Sequence, residues 1–286
     1  MSEARSTAAK WAMRIVTVAY LAVLLVIPVG LIGWRTFAGG LQPVIDALTS
    51  DDFVHALRLT VVVAVCAVVL NTVFGITVAL LLVRGRFWGK RLLSAVIDLP
   101  LAVSPVVVGL ALILVYGSHA PAGGWIERHG VQIIFATPGM VAATVFVSLP
   151  LVVRAIVPVL QEFGEEQEQA AHTLGASRWT TFRRITLPSI RWALAYGIVL
   201  CLARALGEYG AVAVVSGRIV GQTQTVTLYV EQEYNNFDQP GAYAAATVLA
   251  LIAIVALLVT KLLRPGGRRA DAERLTEMQS GREEQR

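Results

Sequence analysis

Residues 57–83 read LRLTVVVAVCAVVLNTVFGITVALLLV, a run in which Arg58 is the single charge. A helix needs about 20 predominantly apolar residues to cross the hydrocarbon of a bilayer. The run lacks the strict alternation of an outer-membrane strand, and a spanning helix satisfies its backbone hydrogen bonds within one segment. It is therefore read as a transmembrane helix. Five more apolar runs share its character: about Trp11 to Trp34, Leu92 to Tyr116, Ile133 to Leu160, Ile190 to Val215 and Ala242 to Leu263. The expected fold class is an all-α integral membrane protein with six transmembrane helices. Its spanning domain covers 11–263, between a short segment 1–10 and a charged tail 264–286.

Composition agrees. Of 286 residues, 56% are hydrophobic and 15% charged, against about 25% charged in ordinary soluble domains. A soluble enzyme around one buried core is excluded. The net charge of +5 does not point to nucleic acid, because the basic residues sit at the ends of apolar runs instead of forming a stripe with interleaved aromatics. Cys66 and Cys201 both fall inside apolar runs and read as small hydrophobes. The stretch Ile15 to Gly33 is longer than the apolar core of a signal peptide, about 7 to 15 residues, and is read as a retained first span.

Orientation follows from the connections. One side collects Arg5, Lys10 and Arg14, then Arg84, Arg86, Lys90 and Arg91, then Arg178, Arg183, Arg184 and Arg191, then Lys261, Arg264, Arg268 and Arg269. The other holds Arg35, Arg58, Arg128 and Arg218 beside six acidic residues. Both termini are expected in the cytoplasm. The tail opens on Pro265, Gly266 and Gly267 and is too charged to bury a core.

No GxxxxGK[ST] loop is present, so the chain has no P-loop for nucleotide phosphates, and neither HExxH nor GxSxG occurs. The four histidines lie in connections without ligand spacing. No catalytic residue, metal site or cofactor site is expected in this chain.

The longest cytoplasmic connection, residues 161–189, is too long for a simple turn. It carries four glutamates between Glu162 and Glu168, then QAAHTLGASRWTTFRRITLP at 169–188. Small Ala170 and Ala171 permit close helix approach, Gly175 a bend, Ser177 a cap and Pro188 a helix start. The expectation is two short helices bent at Gly175, forming a knob with Trp179 and Phe182 exposed. An amphipathic helix lying on the membrane surface is the other reading.

Charges also sit within the spans. Arg204 and Glu208, four apart, share a helix face and flank Gly207. An intramembrane charge is costly, so both should face protein or water. They can form a structural ion pair, gate a path, or line an anion route with the backbone around Gly207 and Gly210; Glu208 would repel an anion, which favours pairing or gating. Asp98 lies about 10 Å into the third span and Arg154 about 10 Å into the fourth, counting 1.5 Å per residue, and an ion pair is expected at that matching depth. The alternative is separate snorkelling to the headgroups. Pro100 and Pro105 predict a kink in the third span. The external segment 218–241 reads as a polar loop with some helix around Val226 to Tyr234.

The 169–188 stretch resembles the EAA loop of ABC importer permeases: Glu-Ala-Ala, Gly four residues after the second Ala, and Ile-x-Leu-Pro ten residues after the Gly. Ala170, Ala171, Gly175, Ile185, Leu187 and Pro188 match at those spacings; Ala176 and Ser177 follow the glycine, and Gln169 stands where the pattern has Glu. The likeness extends over most of the chain to the sulfate/thiosulfate permeases of such importers, through Arg183 to Tyr196, Ala203 to Gly217, and Gly221 to Thr225. The Gly-Glu-Tyr-Gly-Ala stretch at 207–211 is shared with molybdate and tungstate permeases. The resemblance implies a type I importer permease in the bacterial inner membrane, with 169–188 as the coupling loop that docks on an ATPase. It further implies a second, CysT-like permease, a dimer of CysA-like ATPase subunits that uses ATP and Mg, and an extracytoplasmic sulfate/thiosulfate-binding protein. A homodimeric molybdate/tungstate permease is the rival within the family. A secondary anion transporter, which would show structural repeats or paired discontinuous helices, is the rival outside it.

Overall fold

A computed structural model of the protein describes residues 2–263; the charged tail expected at 264–286 lies outside them. The described residues are all helical: α1 (Ser2–Leu21), a π-helical turn (Ala22–Val26), α2 (Ile27–Ala38), α3 (Gln42–Thr49), α4 (Asp51–Arg84), α5 (Lys90–Ala102), α6 (Pro105–Tyr116), α7 (Pro121–Arg128), α8 (Thr137–Phe163), α9 (Glu166–Thr173), α10 (Arg178–Thr181), a second π turn (Phe182–Thr186), α11 (Leu187–Leu206), α12 (Gly210–Val215), α13 (Val226–Asn235) and α14 (Gln239–Leu263). Five stretches are long and apolar enough to cross a membrane: Met13–Ala38, Asp51–Arg84, Thr137–Phe163, Arg178–Leu206 and Gln239–Leu263. A sixth crossing arises if α5 and α6 together make one span.

The helix ends explain where the spans differ from the apolar runs. The expected Leu57–Val83 span lies within α4, which starts six residues earlier and ends one residue later. There the Ser50 hydroxyl accepts from the Phe53 N–H at 3.3 Å and Asp51 and Asp52 occupy the positive first turn. At 1.5 Å per residue α4 runs about 51 Å, well beyond the hydrocarbon thickness. The run from Ile133 does not begin as helix: Phe135 has φ +62° and donates its N–H to the Val215 carbonyl at 2.8 Å, and α8 starts at Thr137 with Pro138 in its first turn.

The third run, Leu92 to Tyr116, is not a kinked single helix. It breaks into α5 and α6, which meet at 114°. Pro105 has no N–H to give and pushes Ser104 into an extended conformation (ψ +134°), and Val103 is extended as well. Pro100 is accommodated inside α5. The fifth run also splits: α11 ends at Leu206, and α12 resumes at Gly210. The short external helix expected around Val226 to Tyr234 is α13.

α4, α8 and α11 pack as the central trio. Small residues set their spacing. A Cβ at Gly75 would lie 2.7 Å from Val152 Cγ1, and one at Gly197 3.0 Å from the Ala155 Cβ. One apolar cluster gathers Leu59, Val63, Val108, Met140, Val147, Val212 and Val215. Another gathers Ala79, Leu82, Ile97, Val152, Ile156, Leu160 and Ile190 around the opposite half of α4 and α8. A third joins Phe53, Ala56, Val226, Tyr229 and Ala245, where the Phe53 and Tyr229 rings meet edge-on at 5.6 Å. Asn71, fully buried, bonds α4 to α8 through the Val145 carbonyl (3.2 Å) and the Ser148 hydroxyl (2.8 Å). The first span meets the bundle at its far end, where buried Thr36 bonds to the Tyr243 carbonyl at 3.0 Å and the Thr247 hydroxyl at 2.7 Å on α14; nearly all its other described side chains are exposed, as a lipid- or partner-facing helix requires.

Both π turns precede a proline, Pro28 in the first span and Pro188 in the fifth. A proline clashes with the carbonyl four residues back, and widening the preceding turn relieves it without ending the helix.

Overpacking a close helix contact costs about 1–3 kcal/mol. Gly75→Val therefore lowers the thermal unfolding midpoint of the detergent-purified protein. Gly30→Ala, where a new Cβ meets nothing within 4 Å, leaves it unchanged apart from propensity.

Candidate functional site

The 161–189 connection folds into a knob at the end of the central trio. Gly164, at φ +69°, turns the chain out of α8. Helix α9 then runs to Thr173 and closes on paired bonds, Ala176 N–H to the Ala171 carbonyl at 3.0 Å and Gly175 N–H to the His172 carbonyl at 3.0 Å. This is the arrangement that needs a left-handed residue just past a helix, and Gly175 supplies it at φ +83°. A His172 ring nitrogen, Nδ1, lies 3.1 Å from the Ala176 carbonyl and braces the same turn. Ser177 caps α10, its hydroxyl accepting from the Thr180 N–H at 3.2 Å.

The second arm of the knob is not a separate short helix. α10, the π turn and α11 form one continuous rod from Arg178, so the knob is joined directly to the fifth span. Ile185 and Leu187 are half-buried on that rod and Pro188 is exposed. On the outer side Leu174 (87% exposed) and Trp179 (68% exposed) project, with Trp179 stacked on Phe182 at 5.7 Å. Gln169 and Ala170 are exposed beside them, while Ala171 and Ala176 are half-buried. Gln169 reaches only its own helix, donating to Glu165 Oε2 at 3.4 Å.

Glu168, one residue earlier, is held firmly. Arg84 at the end of α4 donates to both its carboxylate oxygens, Nε to Oε2 at 3.0 Å and Nη2 to Oε1 at 3.3 Å, and the Thr186 hydroxyl donates to Oε1 at 2.8 Å. The same guanidinium donates to the Leu160 and Gly164 carbonyls at the end of α8. Arg84 counts among the basic topology signals of the sequence, and nothing in its spacing announces a partner eighty-four residues away. A salt bridge to one of four neighbouring glutamates is legible only in three dimensions.

Within the spans, Arg204 Nη1 lies 2.6 Å from Glu208 Oε2. Glu208 is 3% exposed while the Arg204 side chain is 39% exposed, so the carboxylate is the buried partner and the cation faces outward. Because α11 has already ended, Glu208 sits in the break, where its Oε1 accepts from the Ala211 N–H at 2.9 Å and caps α12. Its carbonyl accepts from the Thr227 hydroxyl of α13 at 3.0 Å. Gly207 keeps an ordinary φ of −94°. The two broken helices meet: a Cβ at Gly210 would stand 3.0 Å from Pro105 Cβ, and one at Gly109 2.8 Å from Val214 Cβ. Asp98 and Arg154 are paired, Arg154 Nε donating to Asp98 Oδ1 at 2.9 Å, with both side chains substantially exposed on the flank of the bundle.

Beyond the break, Arg218 Nη1 approaches Glu231 Oε2 at 3.3 Å and its Nε donates to the Ala213 carbonyl at 3.1 Å. A cavity of about 610 Å³ opens beside Tyr116, His119, Glu127 and Gln132, and neither Arg204 nor Glu208 lines it. Among the described residues no cluster of His, Cys, Asp and Glu could hold a metal.

Residues 71–269 match the family described as "Binding-protein-dependent transport system inner membrane component". The chain is 50% identical over 244 residues to the sulfate transport system permease protein CysW of Synechocystis, covering 85% of this chain and 88% of that protein. It is 46% identical to the Escherichia coli K12 CysW protein over 89% of this chain and 88% of the other, and 36% identical to the CysT protein of the same strain over 77% and 79%. Among solved structures, a bacterial ABC transporter involved in the import of the acidic polysaccharide alginate superposes with a TM-score of 0.71 at 18% identity, over 92% of this chain and 96% of that one, a likeness of fold. With its helices, its broken spans and its relatives in agreement, the chain belongs to the inner membrane components of binding-protein-dependent transport systems, in the branch that holds the CysW and CysT permeases.

Proposed function

We propose that this chain is the membrane-spanning permease subunit of an ATP-driven importer for sulfate and thiosulfate. The observation that carries the reading is the knob at 164–188: a preformed, apolar-tipped projection fused to a span, on a chain without a P-loop of its own. Such a projection transmits force only if another subunit binds it. Leu174, Trp179 and Gln169 offer the contact surface, and the Gly175 turn holds its shape. The relatives named as sulfate permeases favour sulfate over the molybdate and tungstate alternative.

In this reading the knob and both termini are cytoplasmic, consistent with the clustering of lysine and arginine at that end. An ATPase dimer, which uses ATP and Mg, grips the knob of this chain and that of a CysT-like second permease. An extracytoplasmic binding protein delivers the anion. ATPase closure pulls on α9, and because α10 to α11 is one rod, the pull reaches the break at Gly207 to Tyr209. There the outward-facing Arg204 supplies positive charge to the path while Glu208 tempers it, so the pair serves as a gate and not as a deep anion trap. Asp98 and Arg154 hold α5 against α8 on the flank. The paired breaks at α5–α6 and α11–α12 are compatible with a secondary anion transporter as well, but the knob would then have nothing to bind, and the relatives are named as sulfate permeases.

Cells lacking the gene regain uptake of labelled sulfate when it is restored, and excess thiosulfate blocks that uptake more strongly than molybdate does. Gly175→Val abolishes the restored uptake while the protein still accumulates in the membrane. A β-branched residue at φ +83° is strained although no neighbour stands within 4 Å, so the loss reports the turn and not a clash.

The gate pair generates its own test. Glu208 is the buried member of the pair, and removing its cationic partner leaves that carboxylate uncompensated. Arg204→Leu therefore depletes the folded protein. Adding Glu208→Gln, which keeps an acceptor for the Ala211 N–H, restores accumulation but not transport, as read by fluorescence-detected size exclusion and sulfate uptake.

A further inference from the structure

The coupling knob is tied to the spans at one guanidinium. Arg84 terminates α4, and its fork donates four hydrogen bonds into three segments: two to the Glu168 carboxylate on α9, one to the Leu160 carbonyl in the last turn of α8, and one to the Gly164 carbonyl that follows it. Carbonyls in the last turn of a helix have no intrahelical partner, so Arg84 satisfies groups that α8 cannot satisfy itself. From the other side the Thr186 hydroxyl, 3% exposed, donates to Glu168 Oε1 from the π turn that leads into α11. Four elements, α4, α8, α9 and the rod containing α11, thus converge on one ion pair whose side chains are 18% and 14% exposed.

We infer that Arg84 is a positioning residue of the transport cycle: it locks the docking knob to α4 and α8 so that a displacement of α9 moves three spans as one body. The inference rests on the knob being the docking site. The chemistry is particular to arginine, because a planar fork can serve a bidentate carboxylate and two carbonyls at once, whereas the point charge of lysine cannot. Neighbouring bases do not share the task. Lys90 Nζ reaches only the Gly85 carbonyl, at 3.4 Å. Without the fork, α9 keeps only the Thr186 hydroxyl on Glu168 and its turns to α8 at Gly164 and to α10 at Gly175, both glycines with open space around them. The knob can then be gripped without its motion reaching α4 and α8.

The test uses the full chain assembled with its second permease, ATPase and binding protein in liposomes, comparing Arg84→Gln, Glu168→Gln and the double variant. Each single variant still co-purifies with the ATPase, and sulfate transported per ATP hydrolysed falls by about tenfold, the scale on which residues of a coupling network act. The double variant is no worse than either single one, because the two groups act as a unit. A second readout does not depend on the ATPase. Spin labels at Trp88→Cys and Leu174→Cys, both fully or largely exposed, are placed in a chain with Cys66→Ala and Cys201→Ala. They give a narrow distance distribution that broadens with Arg84→Gln. If the parent chain binds no ATPase, the docking reading falls while the distance still reports the clamp. Unchanged transport per ATP in Arg84→Gln, or an unchanged distance distribution, overturns the inference. Should Arg84→Gln fail to accumulate, Arg84→Lys, which keeps the charge and loses the fork, carries both readouts with the same expected direction.

Discussion

A backbone amide or carbonyl without a partner costs several kcal/mol in hydrocarbon, and this constraint shapes every span of the protein. Unbroken helices meet it automatically. The two interrupted spans meet it by packing against each other and against α13. Pro105 touches Gly210, the Glu208 carboxylate takes up the Ala211 N–H, and the Thr227 hydroxyl reaches the Glu208 carbonyl. The Val226 N–H at the start of α13 is in turn received by the Thr60 hydroxyl of α4 at 2.9 Å. The two breaks are therefore brought together at one place, which is also where an arginine is presented. The breaks and the charge belong together: helices α6 and α12 can only be reoriented where their backbones are already open.

The same economy governs the other end of the molecule. The two π turns let Pro28 and Pro188 sit within continuous rods, so a proline that would otherwise end a helix becomes a local widening. For the fifth span the consequence is mechanical. Trp179 at the tip of the knob, the π turn and the route to the break lie on one element, from Arg178 to Leu206. A widened turn is a compliant point in that element, and the Arg84–Glu168–Thr186 cluster stands against it. In the proposed cycle, rigidity at the clamp and compliance at the turn together set how movement of the knob is shared among α4, α8 and α11.

Much of this was legible in the apolar runs and the motif residues, for identifiable reasons. Continuous hydrophobicity locates a span, and the Gly175 turn and Ser177 cap follow from local backbone chemistry, which short sequence windows carry. The ends of spans were less legible, because α4 gains its first turn from the Ser50 cap and two aspartates outside the apolar run. The 114° break between α5 and α6 went beyond the kink that Pro100 and Pro105 suggest; Pro105 sets the break, and the packing of α6 on α12 fixes its angle. In the fifth run the four-residue spacing of Arg204 and Glu208 announces their ion pair, whereas the capping of α12 by Glu208 depends on the helix break and has no local signal. The Arg84–Glu168 clamp had no local signal at all, since its partners come from distant segments and the loop motif directs attention to Gln169, a residue later.

In the proposed cycle ATP is the source of work, delivered through the knob. Its most direct measurement is labelled sulfate accumulation in liposomes containing the purified complex, with ATP enclosed or absent and with proton or sodium gradients imposed or dissipated. Accumulation that requires enclosed ATP and external binding protein, and ignores the gradients, is the predicted result. Accumulation driven by a gradient without ATP would contradict it and make the knob something other than a coupling device.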